Sequence, residues 1–314
     1  MPLKKISSSS YLLAVIACML WSTAFVGIKL GIRYTTPLNF AGTRFLLSGL
    51  MVLPFAGKLA DSIRDVKSNL SYVLLVGLFQ TFLLYGLFYI GISIAPASLT
   101  AIIVGGGPLF VALLAHLTIH DDKLTMKKIL SILTGISGIV IIAADKYDIS
   151  WEKGKEFWGL IILVMANIAG SYGNILVSKG KKKISPLTLN SAQQISGGFG
   201  ILLLSFIAED HSFGIKPAPY YISLFYLSFL SAAAFSIWFI LLKRPGIKVS
   251  EINIWKFLIP VFGAILSWII LPDEKPALIP VIGMVMIASS LILLNYNNGI
   301  RFLQRKKQKT GQHE

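Results

Sequence analysis

The chain has 314 residues, of which 55% are hydrophobic and 14% charged, and its mean hydropathy is +0.73. Soluble domains carry about 25% charged residues, so this composition excludes a soluble globular protein and indicates an integral membrane protein. The formal net charge of +15 fits either a nucleic-acid partner or basic loops beside a membrane. A single cysteine, Cys18, excludes an internal disulfide and a cysteine-based metal cluster.

The apolar runs, divided at charge clusters and turn residues, predict an all-α polytopic membrane protein with ten transmembrane helices of about 20 residues each. These spans are 11–30, 37–56, 71–91, 97–118, 128–144, 157–177, 187–208, 220–241, 252–271 and 277–297. The first is predicted to be an uncleaved span, because its apolar run is longer than that of a secretory signal and further spans follow it.

The lysines and arginines predict the orientation of these spans. Alternating the loops between two sides places 20 basic residues on one side and 7 on the other. Basic loops are typically cytoplasmic, so both termini are predicted in the cytoplasm, with the chain in the cell inner membrane. The basic tail is expected to lie on anionic lipid. The lipid bilayer is therefore a predicted partner, and nucleic acid is not.

The chain also repeats itself. Ser98 to Leu114 aligns without a gap to Ser250 to Leu266, so that Pro108 corresponds to Pro260. With five spans in each half, the second copy must enter the membrane in the opposite direction, which is an inverted repeat. The predicted organisation is an N-terminal segment, a first repeat, a linker, a second repeat and a tail: 1–10, 11–144, 145–156, 157–297 and 298–314.

The repeated stretch is predicted to contain a helix break in each copy. Proline withholds a backbone donor and crowds the carbonyl four residues before it. The first copy adds three glycines inside the same apolar run. The candidate gating or hinge residues are Gly105, Gly106, Gly107, Pro108 and Pro260.

Several motifs resemble the EamA-type repeat of the drug/metabolite transporter superfamily, over nearly the whole chain. They are Trp21-Ser-Thr-Ala-Phe25, Arg44-Phe-Leu46, Ala95-Pro-Ala-Ser98, Pro108-Leu-Phe-Val-Ala112 and Gly135-Ile-Ser-Gly138. The resemblance implies ten helices and transport of amino acids, nucleotide-derived metabolites or other small polar solutes. The second copy departs from the usual pattern at Lys256 and at Asn295 to Asn298.

Polar residues inside spans tend to face a protein interior or a water-filled cavity. Spans six and seven carry them at helical spacing, on one face each. Two interpretations remain open for these stripes, which either line a substrate cavity or hold helices together. The candidates in these spans are Asn167, Ser171, Asn174 and Gln194, with Gln80 in span three. Aromatic candidates for the walls of the cavity are Trp21, Tyr85, Tyr172 and Trp238.

Two basic residues lie within spans. Arg44 is placed seven residues into span two, where it could bind loosened backbone carbonyls or an anionic ligand, and the structural role is favoured. Lys256 lies one helical turn on the cytoplasmic side of Pro260. It is the strongest candidate for pairing with a substrate carboxylate or phosphate, with snorkelling to the interface as the alternative.

All Asp and Glu residues fall in loops, tails or span ends, and Glu251 is the nearest to the interior. Proton relays commonly place a carboxylate in the membrane, so facilitated transport or exchange of a small-molecule substrate is predicted over proton-driven pumping. No nucleotide-binding motif supports ATP-driven transport, and no cofactor, metal or catalytic site is predicted. The alternatives are a lipid or lipid-linked sugar flippase on the same fold and a membrane-embedded enzyme.

Overall fold

The fold is that of a computed structural model, which describes residues 8–94, 103–146, 155–180, 184–210, 214–270, 278–279 and 281–294. All regular structure in this part of the chain is helical. The α-helices are α1 Ser8–Ser22, α2 Ala24–Gly31, α3 Pro37–Val52, α4 Leu59–Ser68, α5 Leu70–Gly77, α6 Leu84–Ile94, α7 Gly107–Thr118, α8 Met126–Lys146, α9 Lys155–Lys179, α10 Pro186–Ala208, α11 Ala218–Lys243, α12 Val249–Ile254, α13 Leu258–Ile270 and α14 Val281–Leu294.

Five helical segments are long and apolar enough to cross a membrane. They are Pro37–Phe55, Leu70–Ile94, Phe157–Lys179, Pro186–Ala208 and Ala218–Lys243. Each coincides with a predicted span to within a few residues at either end. Shorter apolar helices cover Ser9–Ser22, Ile103–Thr118 and Val281–Leu294. The prediction of an all-helical membrane protein is therefore confirmed.

The first predicted span, 11–30, is divided in the structure. α1 ends at Ser22 and α2 begins at Ala24, with a turn at Thr23. The Thr23 hydroxyl donates a hydrogen bond to the Leu20 carbonyl at 2.7 Å, and the Thr23 amide donates to the same carbonyl at 3.2 Å. A side-chain hydroxyl that binds its own helix competes with the regular ladder and bends it. Apolar periodicity does not register such a local break.

Two further elements differ from the expectation of plain spans and loops. The segment between the second and third predicted spans contains a helix, α4, with an exposed Arg64–Asp61 ion pair on its surface. The third span contains a π-helical segment, Leu78–Leu83, between α5 and α6. This segment buries Gln80 and Thr81, and π-helical turns of this kind are frequent at functional sites.

The most extensive contact between described helices joins α3 and α10, which belong to different halves of the chain. A Cβ atom at Gly198 would lie 2.6 Å from the backbone nitrogen of Leu46 and 3.0 Å from the Gly42 carbonyl oxygen. The Ser191 hydroxyl donates to the Gly49 carbonyl at 2.7 Å. Small residues let two helix backbones approach this closely, so the two halves are joined along this seam.

The glycine-rich stretch interrupts its helix where the sequence predicts a break. Residues 103–105 are helical, Gly106 is a turn, and α7 begins at Gly107. The Gly106 and Leu109 amides bond to carbonyls three residues back, at 3.1 and 2.9 Å. The start of this predicted span, residues 97–102, lies outside the described residues. In the second copy the interruption is a 3₁₀ segment, Trp255–Phe257, immediately before α13, the helix that contains Pro260.

Two carboxylates, of which Asp122 is buried and Glu209 half-buried, join the halves at the ends of helices. Glu209 accepts hydrogen bonds from the Leu38 and Asn39 amides at 2.8 and 3.0 Å, at the start of α3. Asp122 accepts from the Ser250 amide at 2.9 Å, at the start of α12, and from the Ser250 hydroxyl. Carboxylates are favourable at helix N-termini because the first amides lack partners within the helix.

Candidate functional site

Lys256 lies in the 3₁₀ segment between α12 and α13, where the backbone is already distorted. Pro260 has no backbone N–H, so it cannot donate the helical hydrogen bond that the Lys256 carbonyl would otherwise accept. Lys256 Nζ lies 4.7 Å from the ring centroid of Trp238 and 5.4 Å from that of Trp21. Lys256 keeps partial exposure although Trp238 is fully buried. The lysine is therefore less completely enclosed than the tryptophan ring that it contacts.

Four aromatic rings from three helices form a continuous group around this lysine, which we name the aromatic cluster: Trp21, Tyr85, Phe235 and Trp238. The Trp21 centroid lies 5.1 Å from Trp238 and 5.5 Å from Phe235, with the rings edge to face. Tyr85 joins the group through Phe235 at 6.0 Å. Edge-to-face pairs at these separations are favourable, so the cluster forms a defined wall.

The indole nitrogens of the cluster differ in their partners. Trp238 Nε1 donates to the Asn174 side-chain oxygen at 3.1 Å, and Asn174 Nδ2 approaches the Asn253 side-chain oxygen at 3.4 Å. Trp21 Nε1 is buried and has no hydrogen-bond partner among the described residues. A buried donor without a partner costs about 1–3 kcal/mol. Trp21, whose ring contacts Lys256, thus has an N–H donor that no described residue accepts.

The charge on Lys256 has no carboxylate partner in the described part of the chain. The ion pairs there join Arg64 to Asp61, Lys128 to Asp122 and Lys248 to Glu251. Cation–π contacts contribute about 2 kcal/mol when desolvated, whereas removing an ammonium group from water costs several kcal/mol. Counted over the described residues, the site therefore carries a net positive charge that an anion would stabilise.

Arg44 is the second internal cation, and its contacts are all with neutral groups. It is 2% exposed and donates from Nε and Nη2 to the Ser231 hydroxyl at 3.1 and 2.8 Å. Nη1 donates to the Tyr89 hydroxyl at 3.2 Å. Its guanidinium carbon also lies 4.9 Å from the Phe45 centroid, and Phe45 packs on Tyr85 at 4.3 Å. Arg44 thus lies behind the aromatic cluster, where the favoured structural role fits its contacts.

The polar stripe on α10 makes hydrogen bonds both within α10 and to neighbouring helices. Gln194 and Gln193 both donate to the Asn190 side-chain oxygen, at 2.8 and 3.2 Å, and Asn190 donates to Ser236 on α11 at 3.0 Å. Gln193 also accepts from Thr81 in the π-helical segment at 2.5 Å. These bonds match the interpretation that the stripe holds helices together. The Gln194 side-chain oxygen nevertheless has no partner among the described residues.

The remaining candidates lie away from Lys256. Asn167 donates to the Ile103 carbonyl at the broken helix, and a Cβ atom at Gly107 would lie 3.3 Å from its side-chain oxygen. Tyr172 packs on Phe79 at 4.7 Å, and Ser171 is buried beside it on α9. Gln80 packs against Gly173 with its side-chain oxygen unpaired within the described residues.

The structure thus brings five of the predicted residues together or into direct contact: Trp21, Tyr85, Asn174, Trp238 and Lys256. Sequence reasoning missed two members of this site, Phe235 and Asn253. Both lie three residues before a predicted member, Trp238 and Lys256, and so share a helical face with it. This three-residue spacing is the feature of the sequence from which both residues could have been predicted. The described residues contain no group of three or more His, Cys, Asp or Glu that could hold a metal ion.

Comparison with known proteins places this geometry in a family. The sequence profile of the EamA-like transporter family matches residues 8–144 and again 157–296. The chain is 25% identical to the uncharacterized transporter YvbV of Bacillus subtilis, over 90% of each chain. It is 25% identical to a probable amino-acid metabolite efflux pump of Escherichia coli, over 95% of this chain and 97% of that one. A solved crystal structure with 17% identity superposes with a TM-score of 0.77, covering 92% of this chain and 96% of that chain.

The apolar helices and their buried polar contacts define a multi-pass helical membrane protein. The family match covers both halves of the chain. The protein therefore belongs to the EamA-like transporter family, and the superposition shows that it has a fold already known from a crystal structure.

Proposed function

We propose that the protein is a secondary transporter that moves a small polar metabolite, such as an amino acid or a nucleotide-derived solute, by alternating access. The observation that carries the proposal is Lys256, an internal cation beside two tryptophan rings, partly exposed and without a carboxylate partner among the described residues. An internal lysine of this kind fits the binding of a ligand better than it fits packing. The efflux pump of Escherichia coli supports the same class of solute.

The proposed architecture is ten membrane helices in two inverted repeats, with both termini in the cytoplasm and the chain in the cell inner membrane. The charge asymmetry of the loops supports this orientation. The two family matches, one in each half, support a repeat. In such folds the substrate lies between the repeats and one half rocks against the other.

The two interrupted helices are the proposed moving parts. The turn at Gly106 and the 3₁₀ segment before Pro260 each replace regular helix by backbone with fewer intrahelical bonds. Lys256 lies within the second interruption. Flexing at Pro260 would therefore move the ligand-binding ammonium group directly. This links the change of access to the state of the site.

Facilitated transport or exchange is proposed over proton-driven pumping. Glu251, the acidic residue nearest the site in sequence, approaches Lys248 at 3.7 Å rather than Lys256. Uptake should therefore be stimulated by unlabelled substrate on the opposite side and need no pH gradient. Proton-coupled uptake that the Glu251→Gln variant abolishes would contradict this part of the proposal.

The test is solute flux into proteoliposomes containing the full chain, with labelled amino acids and nucleotides. Lys256→Gln should reduce substrate flux by at least about 10-fold, because a hydrogen bond to a charged group contributes about 1.5–3 kcal/mol. Lys179→Gln is the control, because this lysine is exposed at the end of α9. A fluorescent-lipid assay runs in parallel. Lipid scrambling without solute flux would show that the protein is a flippase and contradict solute transport. Equal solute flux through Lys256→Gln and Lys179→Gln would show that Lys256 does not bind the substrate.

A further inference from the structure

We infer that the transported solute binds at Lys256 as an organic anion with no compensating positive charge, through a carboxylate or a phosphate. This inference rests on the proposed transport function and narrows its substrate class. It separates organic acids and nucleotide-type anions from zwitterionic amino acids and from amines. It follows from the balance of charge around the site and from the donors that the site leaves unused.

The first step is the uncompensated charge. Two internal cations, Lys256 and Arg44, lie on either side of the aromatic cluster. Arg44 bonds only to the hydroxyls of Ser231 and Tyr89 among the described residues, and Lys256 faces two rings. Hydroxyl oxygens and aromatic rings interact favourably with these cationic groups, but they do not cancel the positive charge. Both charges therefore reinforce a positive potential in the site, and an anionic group is the ligand that lowers it.

The second step is the exclusion of a second cation. A zwitterion or an amine needs a carboxylate or a free aromatic face for its ammonium group. The faces of Trp21 and Trp238 already hold the Lys256 ammonium group. The described carboxylates with a known partner are engaged elsewhere: Asp61 with Arg64, Asp122 with Lys128, Glu209 with the start of α3, and Glu251 with Lys248.

The third step is the donor set. Trp21 Nε1 is a buried N–H without an acceptor in the described chain, and its ring is one of the two that flank Lys256. A carboxylate or phosphate has several acceptor oxygens, so after bonding to the Lys256 ammonium group it still has acceptors for a second donor such as this indole N–H. Phe235 and Tyr85 continue the wall beyond Trp21. Both rings pack on neighbouring aromatic side chains and are neutral, so the wall adds no second charge with which a solute could pair.

The test uses two series of probes. The members of each series share an apolar group, either a phenyl ring or a short alkyl chain, and differ in the charge of the attached polar group. The aromatic series is 3-phenylpropanoate, 3-phenylpropanamide, phenylalanine, phenethylamine and phenyl phosphate. The aliphatic series is butanoate, butanamide, 2-aminobutanoate and butylamine. Thermal stabilisation of the purified full chain reports binding, because a ligand of the folded state raises its apparent stability. The anions should stabilise the protein in at least one series, and the amides, zwitterions and amines should not. Phenyl phosphate against phenylpropanoate tells which anionic group is preferred.

Variants connect the binding to the site. Lys256→Gln should weaken anion binding about 10-fold or more, and Lys256→Arg should retain most of it because the charge remains. Trp21→Phe should weaken anion binding less than Lys256→Gln, since it removes one neutral donor. Lys179→Gln should leave binding unchanged. Size-exclusion profiles confirm that each variant is folded.

The inference is overturned if no anion stabilises the wild-type protein, if a zwitterion or amide binds as tightly as its matched anion, or if folded Lys256→Gln binds anions normally. The transport proposal fails separately. Anion binding without solute flux would contradict transport and leave the anion site standing, whereas flux that ignores substrate charge would contradict the anion site and leave transport standing.

Discussion

Arg44 illustrates how a charged residue is held inside an apolar helix without a carboxylate. Its planar guanidinium group donates in two directions, to Ser231 on α11 and to Tyr89 on α6. A residue on α3 is thereby bonded to two other helices. Arginine suits this role because its donors form a rigid fork, whereas the lysine ammonium group is a compact point charge.

Arg44→Lys is expected to lower the stability of the protein by about 1–3 kcal/mol, because one ammonium group cannot reproduce the bonds to both hydroxyls. The measurement is thermal or denaturant unfolding of the purified protein in detergent. Arg64→Lys is the matched control, since that arginine forms an exposed ion pair on α4 and such pairs contribute little. Wild-type stability in Arg44→Lys would mean that the bonds to Ser231 and Tyr89 do not hold these helices together.

At the scale of helices, the seam between α3 and α10 depends on residues without side chains. Gly42 and Gly49 on α3 face the α10 backbone, and Gly198 on α10 faces the α3 backbone. A methyl group at any of these positions would lie within 3.0 Å of main-chain atoms, which cannot rotate away. The two helices would therefore have to separate.

Gly198→Ala is expected to destabilise the protein by about 1–3 kcal/mol through overpacking. Gly86→Ala is its matched control within α6, because a Cβ atom there meets nothing within 4 Å. That change should be neutral or stabilising by up to about 1 kcal/mol, from the higher helix propensity of alanine. Melting temperatures of the two variants against wild type give the comparison. A Gly198→Ala protein as stable as Gly86→Ala would contradict the close approach.

The contact between Asp122 and the start of α12 is a second helix-level feature. Asp122 and Lys128 are 2% and 3% exposed, and their charged atoms lie 2.5 Å apart. Burial raises the pKa of Asp122, but hydrogen bonds from Lys128 and Ser250 outweigh it and hold the pKa below its ordinary value of 3.8. A carboxyl group whose pKa is lower in the folded state stabilises the fold at pH values above its unfolded pKa.

Asp122→Asn is expected to cost about 3–5 kcal/mol at neutral pH, because it leaves the Lys128 charge buried and unpaired. The stabilisation by the wild-type carboxylate is present above about pH 4 and is lost as the pH falls through the lowered folded pKa. The difference in melting temperature between wild type and variant should therefore be constant from pH 7 to about pH 5 and shrink below the ordinary pKa. A difference that stays unchanged down to pH 3 would contradict this assignment.

At the scale of the whole molecule, the proposed topology predicts where each end of the chain lies. A C-terminal reporter that is active only in the cytoplasm should be active, and one that is active only outside should be silent, because the basic loops and tail collect on the cytoplasmic side. Fusions after residue 150 should give the opposite result, since five spans precede the linker. An odd number of spans in the second half puts the two fusion sites on opposite sides of the membrane. The same reporter activity at both sites would therefore contradict five spans per half.

Much of the architecture could be predicted from the sequence, because the bilayer imposes a length and a polarity on each helix. The second, third, sixth, seventh and eighth spans appear as long apolar helices. The break at Gly106 was predictable because proline chemistry is local. The division at Thr23 and the π-helical segment were not, because hydroxyl and amide bonds within the membrane leave apolar periodicity unchanged.

The sequence by itself determined the membrane class, the repeat and the helix breaks, since composition and spacing can be read along the chain. It also identified Lys256 as a candidate for binding the substrate, which stays a prediction. Only the tertiary structure decided which polar residues meet. Helical spacing places Asn174 and Gln194 each on the polar face of its helix, yet Asn174 accepts a hydrogen bond from Trp238 beside Lys256, whereas Gln194 bonds to Asn190 on its own helix. The reason is that periodicity gives the direction of a side chain around its own helix, whereas its neighbours depend on how distant helices pack.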